Sequence, residues 1–129
     1  MTSKKKSTAE IARRLGAFDV QNILKEIALR GFTNVVWDEP DPLRALTIVV
    51  SYIASTSRRE SWTSTQILGF LRGTSKALSV RLGKDPGKEN KRPMIEFLRT
   101  AVDEVWDLDP VLIVALLEAR AGSFIESVF

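Results

Sequence analysis

Fifteen cationic side chains fall into four groups whose chemistry is that of polyanion neutralisation. Lys4, Lys5, Lys6, Arg13 and Arg14 lie near the start of the chain, and Lys25 follows them. Arg58 and Arg59 are adjacent, Arg72, Lys76 and Arg81 are spaced along one stretch, and Lys84, Lys88, Lys91 and Arg92 close the set. Clustered lysines and arginines replace the cations condensed on a phosphate backbone, which gives affinity and register without reading bases. These fifteen residues are therefore the candidate contacts for a nucleic acid.

Other chemistry is largely excluded by what the chain lacks. It has no Cys and no His, which removes disulfides, thiolate nucleophiles, the commonest general base and the commonest transition-metal ligand. No catalytic residue, cofactor or small-molecule substrate is expected, and the chain reads as a non-enzyme. Gly83-Lys84-Asp85-Pro86-Gly87-Lys88 has the look of a phosphate-binding loop. It has three residues between its glycines instead of four, and Glu89 stands where Ser or Thr would hold magnesium. Asp103, Asp107 and Asp109 could share a divalent cation, but Asp109 is better explained as a helix cap, so no metal site is expected. Trp62 is the aromatic taken as close to the basic centre, with Phe32 and Trp37 placed elsewhere, which disfavours a stacking platform for single strands.

The elements that must position these residues read as helices throughout. Ser7 with Glu10 forms a capping box ahead of Ile11, Leu15 and Phe18, so one long helix can run from about Ser7 to Arg30, with Gly31 as its stop. Gly16 and Asp19 permit a break in it. Residues 32–40, with Val35, Val36 and Trp37, are the one stretch expected to be extended. Asp41-Pro42 starts a second helix with an apolar stripe of Leu43, Leu46, Val50 and Ile53. A polar loop is expected from Ser55 to Ser61. Thr63 with Gln66 caps a third helix carrying Ile67, Phe70, Leu71, Leu78 and Leu82, and Gly69 and Gly73 within it would admit a close backbone. A basic loop from Lys84 to Arg92 follows. Pro93 opens a fourth helix with Met94, Leu98, Ala101, Val102 and Val105 on one side. Asp109-Pro110 opens a fifth, closed by Gly122, with Ser123 and Glu126 capping a last turn. The expectation is an all-α fold: a compact bundle of four to five helices with a basic N-terminal helical arm.

Net charge is only +3, yet it is unevenly spread. Residues 1–36 carry +4, residues 37–57 carry −2, residues 58–92 carry +6 and residues 93–129 carry −5. The corresponding organisation is a basic arm and long helix over residues 1–36, then a helical bundle over residues 37–129. That bundle has a basic middle segment, 58–92, and an acidic C-terminal third. Such polarity suits a basic face for a polyanion and an acidic face turned elsewhere. Lys4-Lys5-Lys6 leads into Ser7, Thr8 and Glu10 rather than an apolar stretch, so no export signal is expected. The longest apolar run, Val111 to Leu117, has seven residues, against about 20 for a transmembrane helix. Two Gln, three Asn, two Met and 11 Arg among 19 basic residues lean towards a thermophilic source.

A lysine-led N-terminus, a long first helix and a compact apolar bundle together resemble the major capsid proteins of filamentous viruses of hyperthermophilic archaea, the tristromavirus, rudivirus and lipothrixvirus group. The resemblance spans the chain in size and layout and rests on no diagnostic motif. It implies a self-assembling virion protein, found in host cytoplasm before assembly, whose helical arm wraps double-stranded DNA in A-form. Lys4, Lys5, Lys6, Arg13, Arg14 and Lys25 would face the phosphates. Asp103, Glu104 and Glu118 would face neighbouring subunits or the outside, and residues 58–92 would have to reach DNA or an acidic neighbour.

Three other readings stay open. Thr63-Ser64-Thr65-Gln66-Ile67 is similar to a segment of small helical RNA-lining subunits of CRISPR effector complexes. Ala9 to Gly16 and Gly69 to Leu82 each resemble half of a helix-turn-helix, as in DNA-binding regulators. A helical interaction module that binds no nucleic acid is the fourth.

Overall fold

The structure is a computed structural model and describes residues 20–128. The capping box at Ser7, the arm, and the candidate contacts Lys4, Lys5, Lys6, Arg13 and Arg14 lie outside these residues. So does the helix-turn-helix half at Ala9 to Gly16.

Among the described residues there are six α-helices and no strand: α1 (Val20–Arg30), α2 (Phe32–Asp38), α3 (Pro42–Arg59), α4 (Ser64–Lys84), α5 (Arg92–Val105) and α6 (Pro110–Val128). A 3-10 helix, Pro86–Lys91, joins α4 to α5 where a loop was expected. The all-α expectation holds, with one helix more than the upper count.

The extra helix is α2, which corrects the extended reading of residues 32–40. Three consecutive apolar residues mimic a buried strand, and periodicity alone does not separate the two. Here Val35, Val36 and Trp37 are all buried, because α2 packs against both α3 and α4 and is covered on more than one side. Gly31 makes the break that separates α1 from α2. Its φ of 91° lies where an L side chain is strained, and its N–H still donates to the Ile27 carbonyl at 2.8 Å, finishing α1. The boundary drawn from charge between residues 36 and 37 falls inside α2.

The sequence caps act as expected. Asp41 accepts from the Leu43 N–H at 2.9 Å to start α3. Gln66 N–H donates to Thr63 Oγ1 at 3.2 Å while Thr63 N–H donates to Gln66 Oε1 at 2.8 Å, a complete capping box for α4. Asp109 accepts from the Leu112 N–H at 3.0 Å at the head of α6.

Two helices run further than expected. α3 continues through Ser55 to Arg59, so the polar loop begins only after it. Thr56 and Ser57 are buried, and that packing holds the last turn helical despite poor intrinsic propensity. α6 passes Gly122, Ser123 and Glu126 without interruption, so neither the stop nor the final cap exists. Gly122 lacks the positive φ that a glycine stop uses and is itself buried.

The bundle is built on two principal pairings, α4 against α5 and α3 against α6. Its core contains the expected stripes: Leu46, Val50 and Ile53 from α3, Leu71 and Leu78 from α4, and Met94 and Leu98 from α5. Removing one such side chain costs about 2–5 kcal/mol, because the packed interior closes a cavity only partly. No helix among the described residues is long and apolar enough to cross a membrane.

Candidate nucleic-acid interface

α4 sets the arrangement of the basic middle segment. At 100° per residue, Arg72 and Lys76 lie one turn apart on the same side, while Arg81 falls on the opposite side. The buried side is fixed by Ile67, Leu71, Leu78 and Leu82, so Arg72 and Lys76 are turned outward. The same outward side carries Gly69, Gly73 and Gly83. A Cβ built at any of the three meets nothing within 4 Å, so among the described residues no backbone approaches there and the surface is open. α4 also runs unbroken through Gly73, which removes the turn that a helix-turn-helix over Gly69 to Leu82 requires.

Arg72 and Lys76 border a groove of about 410 Å³ between α4 and α5, together with Ser75, Ser79, Val102, Arg99 and Asp103. Arg99 was not among the sequence candidates, since it sits in the acidic third of the chain. Only the packing of α5 on α4 brings it beside them. Its Nε donates to Glu96 Oε1 at 3.0 Å, and that hydrogen bond raises the guanidinium above its ordinary pKa, keeping it fully charged. Ser75 and Ser79 add hydroxyl donors one helical turn apart. Their spacing from Arg72 and Lys76 was visible in the sequence, but their position at the edge of a groove was not. Three cations and two hydroxyls, set against Asp103 in the groove and Glu96 beside Arg99, form a place suited to a phosphate.

The other candidates are dispersed. Arg58 borders an apolar pocket of about 310 Å³ with Trp62, Pro110, Val111 and Val114. Arg59 is exposed, 3.7 Å from Glu60. Lys84 and Lys88 are exposed at the end of α4 and in the 3-10 helix. Arg92 is held by Glu89 through two hydrogen bonds of 2.7 and 2.8 Å, which depress the Glu89 carboxyl and raise Arg92. Lys25 lines a separate groove between α1 and α3 that also contains Glu26, Asp38 and Glu39, so its surroundings are mixed in charge.

Lys91 does not belong to a phosphate-facing set. It is 2% exposed, and its Nζ donates to the Glu39 carbonyl at 2.9 Å. The ammonium lies 5.2 Å from the centroid of the Trp37 ring, and Arg81 lies 5.6 Å from the same ring. Burial is the main reason the Lys91 pKa is lowered. Trp37 is thus in contact with two of the basic residues, not remote from them. Phe32 is not remote either: its ring lies 4.8 Å from those of Tyr52 and Phe70, and Phe70 lies 5.4 Å from Trp62. These half-buried rings pack on one another.

Among the described residues, no three acidic side chains gather in a way that could hold a metal ion. Comparison with protein-family models, curated proteins and solved structures finds no match to this chain.

Proposed function

We propose that this chain is a structural protein that coats double-stranded DNA by contacting its backbone phosphates, with no catalytic step. The observation that carries the reading is the outward side of α4, where Arg72 and Lys76, joined by Arg99 of α5, stand beside three glycines with open space around them. A nucleic-acid backbone needs cations at its surface and room to approach, and this side of the molecule supplies both. Among the described residues α4 runs unbroken through Gly73, so no helix-turn-helix accompanies these cations, which favours binding without sequence choice.

The coat role expected of filamentous-virus capsid proteins agrees with this reading. In that setting Lys4, Lys5, Lys6, Arg13 and Arg14 supply further phosphate contacts from the N-terminal arm. The acidic C-terminal third is available for neighbouring subunits.

Mobility-shift titration against random-sequence duplex tests the proposal. The triple variant Arg72→Ala/Lys76→Ala/Arg99→Ala should weaken binding at least tenfold at moderate salt. Arg30→Ala, which removes one cation paired with Glu26 and Asp38, should change it by less than threefold. Equal effects would place the contact elsewhere. Electron microscopy of the protein mixed with duplex DNA then separates the modes of binding. Continuous filaments support a coat, a dimer on one defined site supports a regulator, and binding to guide RNA alone supports an effector subunit.

A further inference from the structure

α6 is apolar over most of its circumference; the described chain buries one side and partly covers its margins through Val114, Leu116 and Phe124, leaving the opposite side open. Ile113, Leu117, Ala121 and Ile125 point into the core. At 100° per residue, Leu112, Ala115, Ala119 and Ser123 form the opposite side, flanked by Val111, with Glu126 on the same side at its C-terminal end. Val111 is 77% exposed and Leu112 52%, and Ala115 and Ala119 are exposed with them. Trp106, 63% exposed, ends α5 just before this helix begins. A helix that is hydrophobic all round is ordinarily buried all round. Exposed apolar surface of a few hundred Å², rimmed by charge, is the mark of an interaction site.

The charges on the rim indicate which partner fits. Asp109 and Arg120 are eleven residues apart, within about 20° of three full turns, so they share one flank of α6 at opposite ends. Both are exposed. Such a flank is complementary to itself when one copy is reversed. We infer that this face binds a second copy of this chain, with the two α6 helices antiparallel about a two-fold axis near Ala115. That arrangement sets Arg120 of each copy opposite Asp109 of the other, twice by symmetry, as an isologous contact requires. Ala115 and Ala119 are small enough for the helices to approach to about 8 Å. Val111 and Leu112 add the apolar area. The phosphate contacts do not use this surface, and the pairing of two copies requires no nucleic acid.

Because the chain has no native Cys, single introduced thiols report the geometry cleanly. Oxidation of Ala115→Cys should give a disulfide-linked dimer, since two copies of position 115 face each other across the axis. Ser123→Cys, on the same side, should stay unlinked. In the antiparallel pairing its two copies are about 25 Å apart along the helix, against the 4.4–6.8 Å that a disulfide spans between Cα atoms. Without nucleic acid, sedimentation equilibrium of the unmodified full chain should give twice the chain mass. Leu112→Glu should give the monomer mass with unchanged far-UV circular dichroism, and Arg120→Asp should weaken the dimer about tenfold. A monomeric native chain, a Leu112→Glu variant that remains dimeric, or Ser123→Cys linking as readily as Ala115→Cys would each overturn the inference.

Discussion

The Lys91 ammonium donates to the backbone carbonyl of Glu39, 2.9 Å away and 52 residues earlier in the chain. This bond ties the start of α5 to the link between α2 and α3, with Trp37 packed against the same ammonium. Lys91→Ala leaves the Glu39 carbonyl short of a partner and opens space beside Trp37. The expected loss is about 2–3 kcal/mol in urea unfolding, well above the roughly 0.5 kcal/mol typical of a surface lysine.

The same residue fixes a pH dependence. Burial holds the folded-state pKa of Lys91 below its unfolded value, so between the two the unfolded chain binds more protons. Stability from this group therefore rises with pH across that alkaline window, is fully present above the ordinary lysine value and is lost as pH falls through the folded value. Unfolding free energies of the native chain, compared with Lys91→Met, should diverge in slope only there. Parallel curves throughout the alkaline range would mean that the ammonium is solvated.

Two glycines should respond with opposite signs to alanine. Gly73 sits mid-helix with open space around it, so Gly73→Ala should stabilise the fold by up to about 1 kcal/mol through helix propensity. Gly31 has φ of 91° and ψ of 145°, a region that essentially only glycine occupies, so Gly31→Ala should destabilise by about 1–3 kcal/mol. Thermal unfolding of the two variants side by side measures both.

The capping box of α4 gives a third stability test. Thr63→Ala removes the acceptor for the Gln66 N–H and should cost about 1 kcal/mol, while Thr63→Ser should cost far less. Denaturant midpoints at constant m-value read the difference.

Local signals were legible where one residue fixes one geometry. Asp41, Thr63 with Gln66, and Asp109 mark helix starts because a side-chain oxygen satisfies a specific free N–H. Gly31 marks a stop because its φ is closed to other residues. Leu46, Val50 and Ile53 repeat at the period of a helix with one buried side. What the sequence did not reveal depends on neighbours. Val35, Val36 and Trp37 look like a strand until α2 is seen between α3 and α4. Thr56 and Ser57 read as loop residues until their burial is known, and Gly122 reads as a stop until α6 is seen to pass through it. In the candidate interface, Arg72 and Lys76 were visible as a pair one turn apart. Arg99 was hidden in an acidic segment, and Lys91 counted as a surface cation because nothing local indicates that Trp37 covers it.

The salt dependence of binding to random-sequence duplex tests the central claim most directly. For the native chain, log K plotted against log salt concentration should fall linearly, with a slope of about −0.9 for each phosphate contacted. The Arg72→Ala/Lys76→Ala/Arg99→Ala variant should have a slope shallower by about 2 to 3. A flat native plot, or an unchanged slope in the triple variant, would contradict the account.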